Sequence, residues 1–214
     1  MEADSVSLPA AARSLSEPPA SAADGAADRA ASPESALSRA QRGELAAFAE
    51  LIRAHQDSVY SLALRLLRVP QDAEELAQDV FVAAHRHLAR IASDAHLIFW
   101  LRRTVCHRAI DRLRRRPPQP AVPLESEEAA ACVALPESSH DPLLERSLRD
   151  LVLRLPPAAR AVVLLRYQED LDPTEIAAVL GIPLNTVKSH LKRSLASLRA
   201  GCDGLRAPIS PEPS

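Results

Sequence analysis

The sequence predicts an all-α protein of two small helical domains joined by a flexible acidic linker. Residues 44–69 and 71–116 each run without Gly or Pro, the residues that most strongly break helices. Most of the 18 prolines sit near the termini or in residues 117–142, and the others punctuate apolar runs of helical period. Only 3% of the 214 residues are aromatic although 47% are hydrophobic, so the core must be aliphatic, and 5 Gly are too few for a many-stranded β architecture.

Residues 1–38 are rich in Ala, Ser, Pro and acids without a sustained apolar period. They cannot offset the entropy of ordering and read as disordered, an arm of residues 1–40 ahead of a first domain at 41–116. Within that domain Pro70 separates two helical stretches, with Asp72 and Glu75 spaced as a capping box for the second. Residues 117–142 hold six prolines together with Glu125, Glu127 and Glu128, which predicts an extended linker. Four helices follow, at 143–155, 158–167, 173–180 and 184–200, making a second domain at 143–200 before a tail from 201.

Charge is laid out in blocks. Lys and Arg against Asp and Glu number 3 to 6 over residues 1–40, 13 to 9 over 41–116, 0 to 5 over 117–142 and 9 to 6 over 143–200. Two basic modules on an acidic tether suit two surfaces that meet a polyanion, although solvated helix faces give the same count. Cys106, Cys132 and Cys202 fit neither a disulfide framework nor a zinc pattern. The N-terminus has no basic flank or apolar run and no membrane-spanning stretch is present, so a reducing cytoplasm is the expected setting. No nucleophile–base pair or metal-spaced carboxylates appear, so no catalytic residue, metal or cofactor is expected; His85 and His87, two apart on a helix, point different ways.

The second domain carries the clearest motif. Asp172-Pro173-Thr174-Glu175 starts a short helix that stops at Gly181, and after Ile182-Pro183 a second helix places Leu184, Val187, Leu191, Leu195 and Leu198 on one stripe. Its other face carries Lys188, Ser189, Lys192 and Arg193, the pattern of a helix-turn-helix whose second helix enters the major groove. Asn185 and Thr186 at the helix start suit phosphate. A structural helical hairpin would look similar.

In the first domain Asp72, Glu75 and Asp79, flanked by Gln78 and Phe81, form an acidic strip that suits a basic partner helix or plain solvation. Residues 99–116 then place Trp100 beside Arg103, His107, Arg108 and Arg112, with Leu101, Val105, Ala109, Ile110 and Leu113 turned to the core. An aromatic among cations suits single-stranded DNA, where rings stack on bases and arginines follow the backbone. The alternative is a core anchor, which is the commoner fate of a lone Trp.

Residues 73–81 (Ala-Glu-Glu-Leu-Ala-Gln-Asp-Val-Phe), then Trp100-Leu101, Asp111 and the terminal arginines resemble region 2 of extracytoplasmic-function (ECF) sigma factors. Leu155-Pro156, Leu164-Leu165-Arg166-Tyr167, Glu175-Ile176-Ala177, Leu180-Gly181-Ile182-Pro183 and residues 186–193 resemble region 4. The resemblance covers residues 44–116 and 143–200, and two motif sets in order across a tether are more specific than either alone. It implies a dissociable subunit of bacterial RNA polymerase that selects promoters and helps to melt them. Asp72, Glu75, Gln78, Asp79 and Phe81 would bind the polymerase core. The loop at 93–98 with Trp100, Arg103, His107, Arg108 and Arg112 would hold the melted –10 element. Asn185, Thr186, Lys188, Ser189, His190, Lys192 and Arg193 would read the duplex –35 element. The linker would thread the polymerase cleft, its acids mimicking nucleic acid, and an anti-sigma protein is implied as a further partner. His107 stands where the family often has Asn, His190 where it has Arg, Asn185 where it has Gly and Leu195 where it has Arg. His107 would also make the –10 contact sensitive to pH. The rival readings are a stand-alone helix-turn-helix regulator that binds an operator without polymerase and, more remotely, a nuclease.

Overall fold

The computed structural model describes residues 35–115 and 142–206, which form helices with no strand. The helices are α1 (Ala36–Gln41), α2 (Leu45–Leu67), α3 (Pro70–His87), α4 (Asp94–Arg115), α5 (Pro142–Leu153), α6 (Pro157–Tyr167), α7 (Pro173–Leu180) and α8 (Leu184–Arg206). A 3₁₀ turn at Leu88–Arg90 follows α3. Most of the arm, nearly all of the linker with Cys132, and the tail beyond 206 lie outside the described residues.

Local chemistry accounts for most of the boundaries. Arg68, in the left-handed conformation, ends α2, and Pro70 opens α3 at a position where a missing N–H costs nothing. That start corrects the expected cap: Val69 is the N-cap, no side chain caps α3, and Asp72 lies inside its first turn. The unbroken helix expected over 71–116 is also interrupted. Ser93 accepts a hydrogen bond from the His96 amide at 3.1 Å and starts α4, so the loop expected at 93–98 is helical from Asp94 on. Residues 36–40, assigned to the arm, are in α1, which sets Leu37 and Ala40 into the core and starts at Ser35 with its hydroxyl bonded to the Ser38 amide.

In the N-terminal half α2 packs against α1, α3 and α4, and α3 against α4. In the C-terminal half α8 packs against α5, α6 and α7. The halves also pack on each other, α4 against α6 and α7 and α2 against α6, so one apolar core runs from Leu37 through Ile110 and on from Ala161 to Val187. Cys106 is fully buried, and burial pushes its thiol up to about 12, which keeps it protonated and unreactive. No helix among the described residues is long and apolar enough to cross a membrane.

Candidate nucleic-acid interface

The helix-turn-helix is assembled as its residues dictate. Asp172 Oδ1 accepts hydrogen bonds from the Thr174 and Glu175 amides at 2.6 and 2.9 Å, and Glu175 Oε2 accepts one from the Asp172 amide at 2.8 Å. That reciprocal capping box fixes the start of α7. Gly181 ends α7 at φ +65°, where a side chain would be strained, and its amide returns to the Ala177 carbonyl. Val187 is fully buried, Leu191 packs against the core and Leu198 is buried, while Leu184 and Leu195 of the expected stripe are half-buried and Ser194 takes a buried position.

The opposite face of α8 is open. Asn185, Lys188, Ser189, Lys192 and Arg193 are exposed, with Thr186 and His190 half-buried beside them. These seven side chains form one polar, cationic surface on an α-helix, the element a major groove admits. The Thr186 amide donates to the Pro183 carbonyl at 2.8 Å, so what Thr186 can offer a phosphate is its side chain.

On α4 the structure splits the expected single-strand surface three ways. Trp100, a candidate for exposure or for a core anchor, is 8% exposed and packs against the His87 ring at 5.5 Å between centroids, so it anchors the core. The reason is its register: it shares a face with Leu97, Leu101 and Val105, all buried. Arg108 and Arg112 turn to α3, where Arg112 meets Asp79 at 2.8 Å and Glu75 at 3.3 Å and Arg108 lies 3.6 Å from Asp79. The acids expected to meet a partner thus touch the arginines expected to meet DNA. These pairs are half-exposed and each contributes under about 1 kcal/mol, so a competing polyanion or basic helix can displace them. Glu75 and Gln78 remain exposed on that strip, with Asp72, Asp79 and Phe81 half-buried.

Arg103 and His107 take the third direction, into the C-terminal half. Arg103 Nη1 donates to the Ala178 carbonyl at 2.7 Å and the Val179 carbonyl at 3.3 Å, and His107 Nε2 lies 3.3 Å from the Val179 oxygen. Those carbonyls are in the last turn of α7, which lacks partners within its own helix. Burial pulls the Arg103 guanidinium below its usual range, and it holds the His107 imidazole below the ordinary histidine value with help from the Arg103 charge. His107 is therefore neutral at pH 7 and serves as an N–H donor.

Sequence reasoning missed the residues that join the halves. Arg160 is 9% exposed and donates to the Leu66 carbonyl at the end of α2 at 2.8 Å, as well as to Leu153 O within its own half. Each half thus sends an arginine to cap a helix end of the other. Glu169, between α6 and α7, meets Arg102 at 3.0 Å and Arg65 at 3.8 Å with its side chain 9% exposed. One signal was available: Arg160 is the lone charge in the apolar run 158–165. Among the described residues no three His, Cys, Asp or Glu side chains gather as a metal site.

The fold and this surface define an all-α helix-turn-helix protein with a second helical module packed beside the reader. Residues 51–117 match the family model described as Sigma-70 region 2, and residues 145–198 the one described as Sigma-70, region 4. The chain is 35% identical over 162 residues to the RNA polymerase sigma-E factor of Streptomyces avermitilis, covering 73% of this chain and 86% of that one. It is 31% identical over 158 residues to the ECF RNA polymerase sigma factor SigM of Mycobacterium tuberculosis (73% and 77% covered), and 28% identical over 173 residues to SigW of Bacillus subtilis (76% and 92%). The fold is also that of CnrH as solved in complex with the cytosolic domain of CnrY, with a TM-score of 0.58 at 24% identity over 79% of this chain and 96% of that one. The chain belongs to the ECF family of RNA polymerase sigma factors.

Proposed function

We infer that this chain directs core RNA polymerase to a set of promoters and assists their melting, with the halves at residues 41–116 and 143–200 acting as regions 2 and 4. The single observation that carries the DNA-reading part is the strip on α8, where Asn185, Lys188, Ser189, Lys192 and Arg193 lie exposed behind a fully specified turn. On this reading Lys188, Ser189, His190, Lys192 and Arg193 read the –35 duplex, and Asn185 and Thr186 fix register on phosphate. The strip of Asp72, Glu75, Gln78, Asp79 and Phe81 takes the polymerase core, whose basic surface replaces Arg108 and Arg112 and frees them for the –10 strand. Arg103 and His107 join them there, while Trp100 supports the site from within the core. A base leaving the stack costs a few kcal/mol, and capture on protein returns roughly 1–3 kcal/mol per base, so binding the open state shifts the melting equilibrium. No covalent step by this chain is needed, and an anti-sigma partner that covers these surfaces would silence it.

Run-off transcription with purified core polymerase on a genomic promoter library tests the reading. Transcripts that depend on the chain and share –10 and –35 elements are the expected result. Operator binding without polymerase, and no transcript, would favour the stand-alone regulator.

A further inference from the structure

Resting on that sigma-factor reading, we propose that Gln41 is a positioning residue of the –10 site: its side-chain amide fixes the turn between α3 and α4 from which residues 93–98 meet the melted strand. Gln41 ends α1, and its Nε2 donates to the Leu88 carbonyl at 2.9 Å and to the Ile91 carbonyl at 2.7 Å, 47 and 50 residues away. A primary amide has two N–H groups, and both are used here on carbonyls that bracket the 3₁₀ turn. The Leu88 carbonyl also accepts the Ile91 amide at 3.1 Å, which closes the turn, so Gln41 grips it at both ends. Leu88 and Ile91 are buried, but apolar burial is non-directional: it sets the depth of the turn, whereas the paired hydrogen bonds set its rotation.

The bonds that follow are local. The Ala92 amide donates to His96 Nδ1 at 3.1 Å, the His96 amide to Ser93 Oγ at 3.1 Å and the Leu97 amide to the Ser93 carbonyl at 2.9 Å, so this cap carries α4 forward in the direction that the turn sets. Helix α1 is itself braced: Arg39 donates to Glu44 at 3.0 Å and to Glu50 at 3.1 Å, and Leu37 and Ala40 are buried. What the brace holds in place faces solvent, with Ala92, Ser93, Asp94, Ala95 and Ile98 exposed. Contacts to an unpaired base must keep within about 0.5 Å of their productive geometry, so a small rotation of the turn costs recognition before it costs stability. Gln41 lies ahead of residues 51–117, which match region 2, and ahead of the stretch that carries the resemblance, so no motif singles it out.

The test uses the full chain with Gln41→Ala, which removes both donors, and Gln41→Glu, which keeps the reach and sets a carboxylate against two carbonyls. Amide exchange followed by mass spectrometry should be about tenfold faster over residues 88–97 in both variants, with α2 unchanged. Unchanged protection of that stretch overturns the clamp whatever the chain does in transcription. Run-off with saturating core polymerase then compares a promoter found for the wild type with copies changed at one –10 base or at one –35 base. The wild-type preference for its own –10 base, roughly tenfold or more, should fall to about threefold in both variants while the –35 preference stays. Transcripts that drop by one common factor with both preferences kept show a structural role alone and overturn the proposal, as do unchanged transcripts. A wild type that gives no polymerase-dependent transcript overturns the sigma-factor reading, and the –10 role with it, while the exchange result still judges the hold on the turn.

Discussion

Each half of the molecule offers a basic helix, and the fold treats the two in opposite ways. On α8 the cations face solvent while Val187 and Leu198 are buried and Leu191 packs on the core, so the polar strip is already exposed in the free chain. On α4 every candidate is engaged: Trp100 in the core, Arg108 and Arg112 on acids of α3, Arg103 and His107 on the end of α7. A duplex has the same shape before and after recognition, so a permanently exposed helix suits it. On the proposed function a melted strand exists only after polymerase engages, and the α4 side chains must leave their present partners to meet it.

The largest expected effect separates a core tryptophan from a stacking one. Trp100→Ala should cost about 3–5 kcal/mol in denaturant unfolding of the N-terminal half, as for a buried large-to-small change. A surface stacker would leave the denaturation midpoint almost unmoved. Next, Lys192→Ala and Arg193→Ala should each weaken –35 duplex binding by about 1–3 kcal/mol if they read bases, with the preference relaxed at one position. A phosphate contact would instead lower the slope of affinity against salt, and titrations at several salt concentrations tell the two apart. Smaller still, Asp172→Ala removes the capping box and should destabilise the C-terminal half by about 1 kcal/mol in thermal melts, with duplex binding largely kept.

The smallest effect is on pH. His107 with the halves packed on each other titrates below its ordinary value of roughly 6.5, because burial and Arg103 oppose the charge. A form with the halves apart therefore holds more protons than the packed one between those two values, and packing of the halves is fully favoured above the ordinary value and weakens as pH falls through it. Asp111 and Arg114 from α4 and the Val179 carbonyl from α7 act on the same ring. The scattering radius should grow from pH 7.5 to pH 5.5 in wild type, with a smaller change in His107→Asn.

How much of this the sequence disclosed follows from the range of the contacts. The helix-turn-helix was readable to its caps because Asp172, Glu175 and Gly181 act on neighbours within a turn or two. The short α1 was missed because six residues cannot show a period, and its burial of Leu37 and Ala40 depends on α2. Trp100 was left between a stacking surface, suggested by adjacent arginines, and a core anchor, and the helix register decides for the core. The joining contacts could not be read at all, since Arg103 and Ala178 lie 75 residues apart and only the packing of α4 on α7 brings them together.

The contrast between the two readers is tested most directly by one titration series: labelled –10 single strand and –35 duplex, each against the chain alone and against the chain assembled with core polymerase. The duplex should bind in both states, and the single strand should bind only in the assembled one. Single-strand binding by the isolated chain as tight as in the assembly would contradict the account.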